Sequence, residues 1–365
     1  MSSLNPSSLN VSRRRFLQAT TAAIAAPAII TSKRTAAQGT VGSGDYKFEY
    51  KHGWPQLPDQ YRWQITHGVA VDPDNNLYVI HEGVASQTDH PSIFVFDPDG
   101  RFIRAFGQPF QGGGHGIEVR VEGGEAFLYV AAYQQAKTFA KLSLKGDLVW
   151  QAYAPMASGH YAKGEAANPK NAWGRDRFLP TNFAFLPDGG FLLADGYGSY
   201  FIHRYDANGH WLSCFGGPGG GKGTFQTPHG IWIDSRGEQP LIVVTDRAHN
   251  TLQTFTMDGE YKDTVEGFGL PANIDVAGDL MLVPELVARV SLLDKDFNTV
   301  ATLGDDRERI IADNKANKGY SIRGKQAEWQ DGKFVHPHDA CFDNDGNIFV
   351  AEWVTTGRIT KLTRV

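Results

Sequence analysis

Six β-rich runs in the 365-residue chain open on a polar side chain: His67, His115, Asn182, His229, Asn273 and His338. The runs His67-Gly68-Val69-Ala70-Val71-Asp72 and His229-Gly230-Ile231-Trp232-Ile233-Asp234 show the form, an imidazole at the mouth of an apolar strand. Neutral imidazole is the commonest protein ligand for a metal ion such as zinc. The chain has only two cysteines, Cys214 and Cys341, so no thiolate-rich metal module can be built, and any metal rests on histidine and oxygen. Whether the imidazoles can meet depends on the elements that carry them.

The six openings stand 48, 67, 47, 44 and 65 residues apart. A four-stranded propeller blade takes about 40 to 50 residues, so the two long intervals contain inserts, 156–178 and 305–335. Both are rich in Lys, Asp, Asn and Gly with little strand signal, and they read as loops. The alternating aromatic and charged residues of 46–52 supply an outer strand that closes the ring against the last blade. The fold class is therefore all-β, a six-bladed β-propeller over 38–365.

The innermost strand of each blade lines the central channel. Blades two, four and six stand about 120° apart in a six-part ring, so His115, His229 and His338 converge on the axis as an open, catalytic type of zinc site. His67 adds a further imidazole at the channel. Aligning the ends of the second strands puts Glu82, Tyr197, Arg247 and Trp353 in turns on the same face. A nearby dication or guanidinium favours the phenolate of Tyr197 and makes it a proton acceptor. Arg247 can hold a carboxylate or oxyanion through paired hydrogen bonds.

The 35 basic and 40 acidic residues are interspersed, with a net charge of −5. Without a basic stripe to neutralise phosphates, nucleic acid is excluded as a partner. At the amino terminus, Ser12-Arg13-Arg14-Arg15-Phe16-Leu17-Gln18, a mildly apolar stretch over 19–30 and small residues at Thr35-Ala36-Ala37 read as a twin-arginine export signal over 1–37. The apolar stretch is too short to span a membrane, so the mature protein is expected without a membrane span, in the periplasm or secreted. Cys214 and Cys341 fall in the third and sixth blades, on opposite sides of the ring, and should not form a bridge.

The repeats resemble NHL-repeat propellers, and their motifs resemble the peptidyl-α-hydroxyglycine α-amidating lyases, which cleave a hydroxylated C-terminal glycine to a peptide amide and glyoxylate. Gly114-His115-Gly116, Pro228-His229-Gly230 and Pro337-His338-Asp339 match the family's three zinc-histidine motifs, Asp195-Gly196-Tyr197 its catalytic tyrosine segment, and Asp246-Arg247 a second functional arginine. The resemblance implies catalytic zinc, a structural calcium with Asp339 among its ligands, and carbon–nitrogen lyase chemistry on a small-molecule or peptide substrate. The sequence also departs from the family. Glu82 stands where the family has its principal substrate-orienting arginine, and His336 replaces a methionine. Glu82, His67 and His336 are thus expected to contact a changed substrate. With six repeats filling the sequence, the family's copper-monooxygenase domain is not expected here. A second reading is a non-catalytic propeller that binds a ligand or protein on its top face, where the inserts carry Tyr161, Trp173, Tyr320 and Trp329. A third, a calcium-dependent lactonase-like propeller, calls for a carboxylate and amide cage, whereas three histidines favour a softer metal.

Overall fold

In the strand Leu77–His81 every residue is buried, so neither face of the strand meets solvent. Such two-sided burial is what radially packed sheets require, because each face of a blade is covered by a neighbour. The computed structural model describes residues 39–365, and the expected export signal over 1–37 lies outside them. Six sheets stand in sequence order: five are four-stranded, and the sixth has five strands. The protein is an all-β, six-bladed β-propeller.

The side chains of one strand divide between two cores. Tyr78 and Ile80 pack with Ile117, Leu128 and Val130 of the second blade, whereas Leu77 and Val79 pack with Phe349, Ala351 and Ile359 of the sixth. Corresponding clusters join blades two to three, three to four, four to five and five to six. The ring is thereby continuous. Its closure is made by the amino-terminal strand Tyr46–His52, which pairs antiparallel with the last strand, Arg358–Arg364. A further strand, Thr40–Ser43, pairs on its outer side and adds an element that the sequence reading did not contain.

The inserts depart from the expectation of plain loops. Insert 305–335 contains an α-helix, Arg307–Asn317, and two 3-10 turns. Of the helix only Ile310 is buried, seated with Ala288, Ile322, Val335 and Val354. One apolar anchor gives no 3.6-residue periodicity for a sequence reading to detect. Insert 156–178 holds a single 3-10 turn, Met156–Ser158. No helix among the described residues is long and apolar enough to cross a membrane. Cys214 and Cys341 are both free.

Burial holds seven histidines neutral. It pushes His52 and His336 down to about 4, His81 and His203 down to about 3, and His115, His229 and His338 well below the ordinary 6.5. Because folding depresses these values, the unfolded chain takes up protons first as pH falls below 6.5, and stability is lost through that window. Five buried carboxylates act in the opposite sense: Asp339, raised by burial to about 7, Asp275, raised to about 6, Glu118, raised well above its usual range, and Asp195 and Asp246, also raised by burial. The histidines outnumber them. The melting temperature of the metal-free protein should drop by roughly 10 °C between pH 7 and pH 5. A melting temperature that stays level or rises over that interval, read by circular dichroism, contradicts this account.

Candidate active site

Each histidine-bearing inner strand pairs irregularly with its neighbour at the histidine itself. The register shifts between Thr66 and Gly68, Gly114 and Ile117, Pro228 and Ile231, and Pro337 and Asp339. Bulges of this kind turn a side chain out of the regular alternation. Here they release His67, His115, His229 and His338 toward the axis, where all four rings meet. His115 and His229 have ring centroids 4.6 Å apart, His115 and His338 4.9 Å, and His229 and His338 4.8 Å. His67 stacks on His338 at 4.5 Å. Around them lies an axial void of about 10 Å³, also lined by Asn182, Asn273 and Asp339. That is about one water-sized sphere.

Three of the four rings are held in one tautomer. Nδ1 of His115 lies 3.0 Å from the Thr181 carbonyl, Nδ1 of His229 2.6 Å from that of Ala272, and Nδ1 of His338 2.8 Å from that of His67. A carbonyl only accepts, so each Nδ1 carries the proton, and Nε2 of the neutral ring presents a bare lone pair to its surroundings. The glycines after two of the histidines make this possible. A Cβ at Gly116 would stand 2.1 Å from the Thr181 oxygen, and one at Gly230 would stand 2.4 Å from the Asn273 Cα. Nothing larger allows the next blade to come so close.

Nε2 of His115 and Nε2 of His229 are 3.0 Å apart. Two lone pairs face each other at a separation near the about 3.3 Å between nitrogens on a tetrahedral zinc. A second trio, His67, His115 and His338, has ligand atoms within 4.8 Å of one another. His67 differs from the other three because neither of its nitrogens makes a hydrogen bond. Its Nε2 lies 3.3 Å from Glu82 Oε2. Three buried histidines close enough together to hold a metal ion, His67, His115 and His338, are therefore present, and His229 stands beside them.

Above the histidines opens a cleft of about 480 Å³ whose wall includes His338. Every blade contributes a residue from the turn after its second strand: Glu82, Tyr133, Arg247, Leu286 and Trp353 follow the strand directly, and Tyr197 lies three residues past Ala194. Tyr133 and Leu286 were not singled out from the sequence, although they occupy the position aligned with the other four. Four blades fix this position with a buried acid. Asp195 accepts the Leu179 N–H at 2.7 Å, Asp246 that of Gln226 at 2.8 Å, Glu285 that of Gly269 at 2.5 Å, and Glu352 that of Val335 at 2.7 Å. Each acid thus ties the cleft residue one position after it, or two in the case of Tyr197, to the segment entering the inner strand three or four residues before its polar opening residue.

The Tyr197 hydroxyl donates to His229 Nε2 at 2.8 Å and accepts from Arg247 Nη1 at 2.9 Å. Burial pushes its phenol above the ordinary value, and the Arg247 guanidinium opposes that rise. Arg247 is 7% exposed and leaves Nε and Nη2 without partners. Burial raises the Glu82 carboxyl, but His67, Gln134 and Tyr133 outweigh it and keep the group below its usual range. Gln134 Nε2 donates to Glu82 at 2.7 Å.

Of the three expected substrate contacts, Glu82 lines the cleft, and His67 and His336 do not. His336 is fully buried, donates from Nδ1 to the Leu286 carbonyl at 2.6 Å, and meets Tyr320 and Trp353 from behind. It does not line the cleft. Asp339 accepts from Val69 N at 2.9 Å and Asn273 Nδ2 at 2.6 Å, and lines a second, 110 Å³ cavity with Glu118 and Asp275. Of the insert aromatics, Trp173 and Tyr320 reach the cleft. Tyr161 is buried, its hydroxyl donating to Asp195, and the Trp329 indole donates to the Ile322 carbonyl.

No protein-family model matches the chain. A curated relative, peptidyl-alpha-hydroxyglycine alpha-amidating lyase 1 of Drosophila melanogaster, is 27% identical over 213 residues, which is 52% of this chain and 35% of that protein. The chain resembles the amidating lyases. The matched stretch spans about a third of the length of that relative. Solved structures carry the likeness at the level of fold alone. Virginiamycin B lyase from Staphylococcus aureus superimposes with a TM-score of 0.51 at 14% identity, covering 87% of this chain and 100% of that one. A Xanthomonas campestris gluconolactonase gives 0.53 at 12% identity, covering 87% and 89%.

Proposed function

We propose that the protein is a zinc-dependent carbon–nitrogen lyase, similar to the amidating lyases, acting on an α-hydroxyglycine-type compound. One observation carries the reading: the unprotonated Nε2 atoms of His115 and His229 face each other at 3.0 Å, with His338 beside them and a tyrosine–arginine pair above. Zinc held by His115, His229 and His338 would supply Lewis-acid polarisation of the substrate oxygen. With zinc on His229 Nε2 the Tyr197 hydroxyl would lose its acceptor and release its proton to solvent as the metal loads, and the phenolate, held by the Arg247 N–H it already accepts, would take the proton from the substrate hydroxyl. As that oxygen becomes a carbonyl, the adjacent C–N bond breaks, its electron pair goes to nitrogen, and the proton passes from Tyr197 to the leaving amide. No proton is gained or lost overall, and the products are an amide and glyoxylate.

Asp339, Asp275 and Glu118 are carboxylates in the second cavity, all raised by burial, with repulsion from neighbouring carboxylates adding at Asp339 and Glu118. A hard cation such as calcium suits them, and we assign it a structural role there. Export through the twin-arginine route rests on Ser12-Arg13-Arg14, and cell fractionation tests it.

The deciding assay measures glyoxylate released from α-hydroxyhippurate by zinc-loaded protein. Release above the uncatalysed rate, abolished by chelation and restored by zinc, is the expected result. Complete inactivity of a protein that carries zinc removes the lyase and leaves a propeller that binds a ligand or protein through its top face.

A further inference from the structure

The charged residues lining the cleft are Glu82, Arg247 and Arg323, and the third comes from the insert 305–335 rather than from any blade. Glu82 is occupied by Gln134 and lies against His67. Among the described residues Arg323 is not paired with any acid. Its guanidinium lies over the Trp353 ring, 3.3 Å from the centroid, and its Nε and Nη2 are buried without a partner. Arg247 also leaves Nε and Nη2 unpartnered. Buried guanidinium donors with nothing to bind are costly, and a carboxylate satisfies them in pairs.

The backbone around Arg323 is fixed before any ligand arrives. Ile322 is buried among Ala288, Ile310, Val335 and Val354, and its carbonyl accepts the Trp329 indole N–H at 2.8 Å. The Arg323 carbonyl accepts the Thr355 N–H at 3.2 Å and its hydroxyl at 3.3 Å. The helix-bearing insert is thus a rigid mount. Beside the guanidinium, Tyr133, Tyr197, Tyr320 and Trp353 form an aromatic wall, and Trp173 stands at its rim with 56% of its surface exposed.

We propose that Arg323 is the specificity-determining residue of this cleft, holding the carboxylate of a substrate whose apolar or aromatic part lies against Trp173 and Tyr133. The insert thereby supplies the positive charge that the blade position of Glu82 lacks. The assignment rests on the reading of the cleft as the substrate site, but not on the lyase chemistry.

Hippurate and its neutral amide, hippuramide, test it on the full, zinc-loaded chain by calorimetry, since neither has a hydroxyl to react. Hippurate should bind at least about tenfold more tightly than hippuramide. Arg323→Gln should abolish that preference while leaving hippuramide affinity and the melting temperature unchanged, and Arg323→Lys should restore part of it. Equal binding of the two probes by the parent protein, or an unchanged preference in Arg323→Gln, overturns the proposal. Arg323-dependent hippurate binding in a protein that releases no glyoxylate sinks the lyase and upholds the clamp.

Discussion

Protein purified with zinc should retain about one zinc ion per chain, and His115→Ala, His229→Ala and His338→Ala should each lose it together with at least about 10³-fold in glyoxylate release. His67→Ala should keep the ion. The contrast follows from the hydrogen bonds. The first three imidazoles are aimed by backbone carbonyls of Thr181, Ala272 and His67, which fix both tautomer and ring plane, whereas the His67 ring has no such partner. Carbonyls that hold the far ring nitrogen of a ligating imidazole in this way sustain metal affinity at protein sites. Elemental analysis decides between the two candidate trios: zinc lost in His67→Ala and kept in His229→Ala would reassign the ligands. Calcium, measured on the same samples, should survive His115→Ala and disappear in Asp339→Asn.

Tyr197→Phe should lower kcat about 10² to 10⁴-fold with KM and zinc content nearly unchanged. The ring packs against His115, His229, Tyr133 and Trp173, and phenylalanine keeps those contacts. Only the oxygen is removed. The lost group is the one that touches both His229 and Arg247, so the change isolates proton transfer from positioning. A Tyr197→Phe enzyme within about threefold of the parent rate would assign the base to another group.

The repeat spacing alone gives the ring, and threefold placement alone brings His115, His229 and His338 together, because both depend on periodic features that a single sequence displays. What stayed hidden lacks such a period. Tyr133 and Leu286 follow apolar strands without an acid–polar signal as clear as Asp246-Arg247, so nothing in their own residue types marks the position. Glu118 and Asp275 lie inside or at the start of inner strands, and the bulge at His115 shifts the alternation that would have shown which way the first one faces. Arg323 sits in a segment whose helix is fastened by one isoleucine, and its place over Trp353 arises from tertiary packing. His336 illustrates the converse: a histidine two positions before a metal ligand reads as part of the same motif, yet its Nδ1 is spent on Leu286.

The carbonyl that orients each of the three imidazoles belongs to a different sector of the toroid from the imidazole itself. Coordination geometry is therefore a reporter of circular completeness, and removing the final hairpin partner, Tyr46–His52, would blunt ion capture at a distance. The rim carries no such obligation. Its guanidinium, indole and phenol, those of Arg323, Trp173 and Tyr320, hang from two excursions outside the blades, so a new ligand preference can be grafted there with the collar left intact.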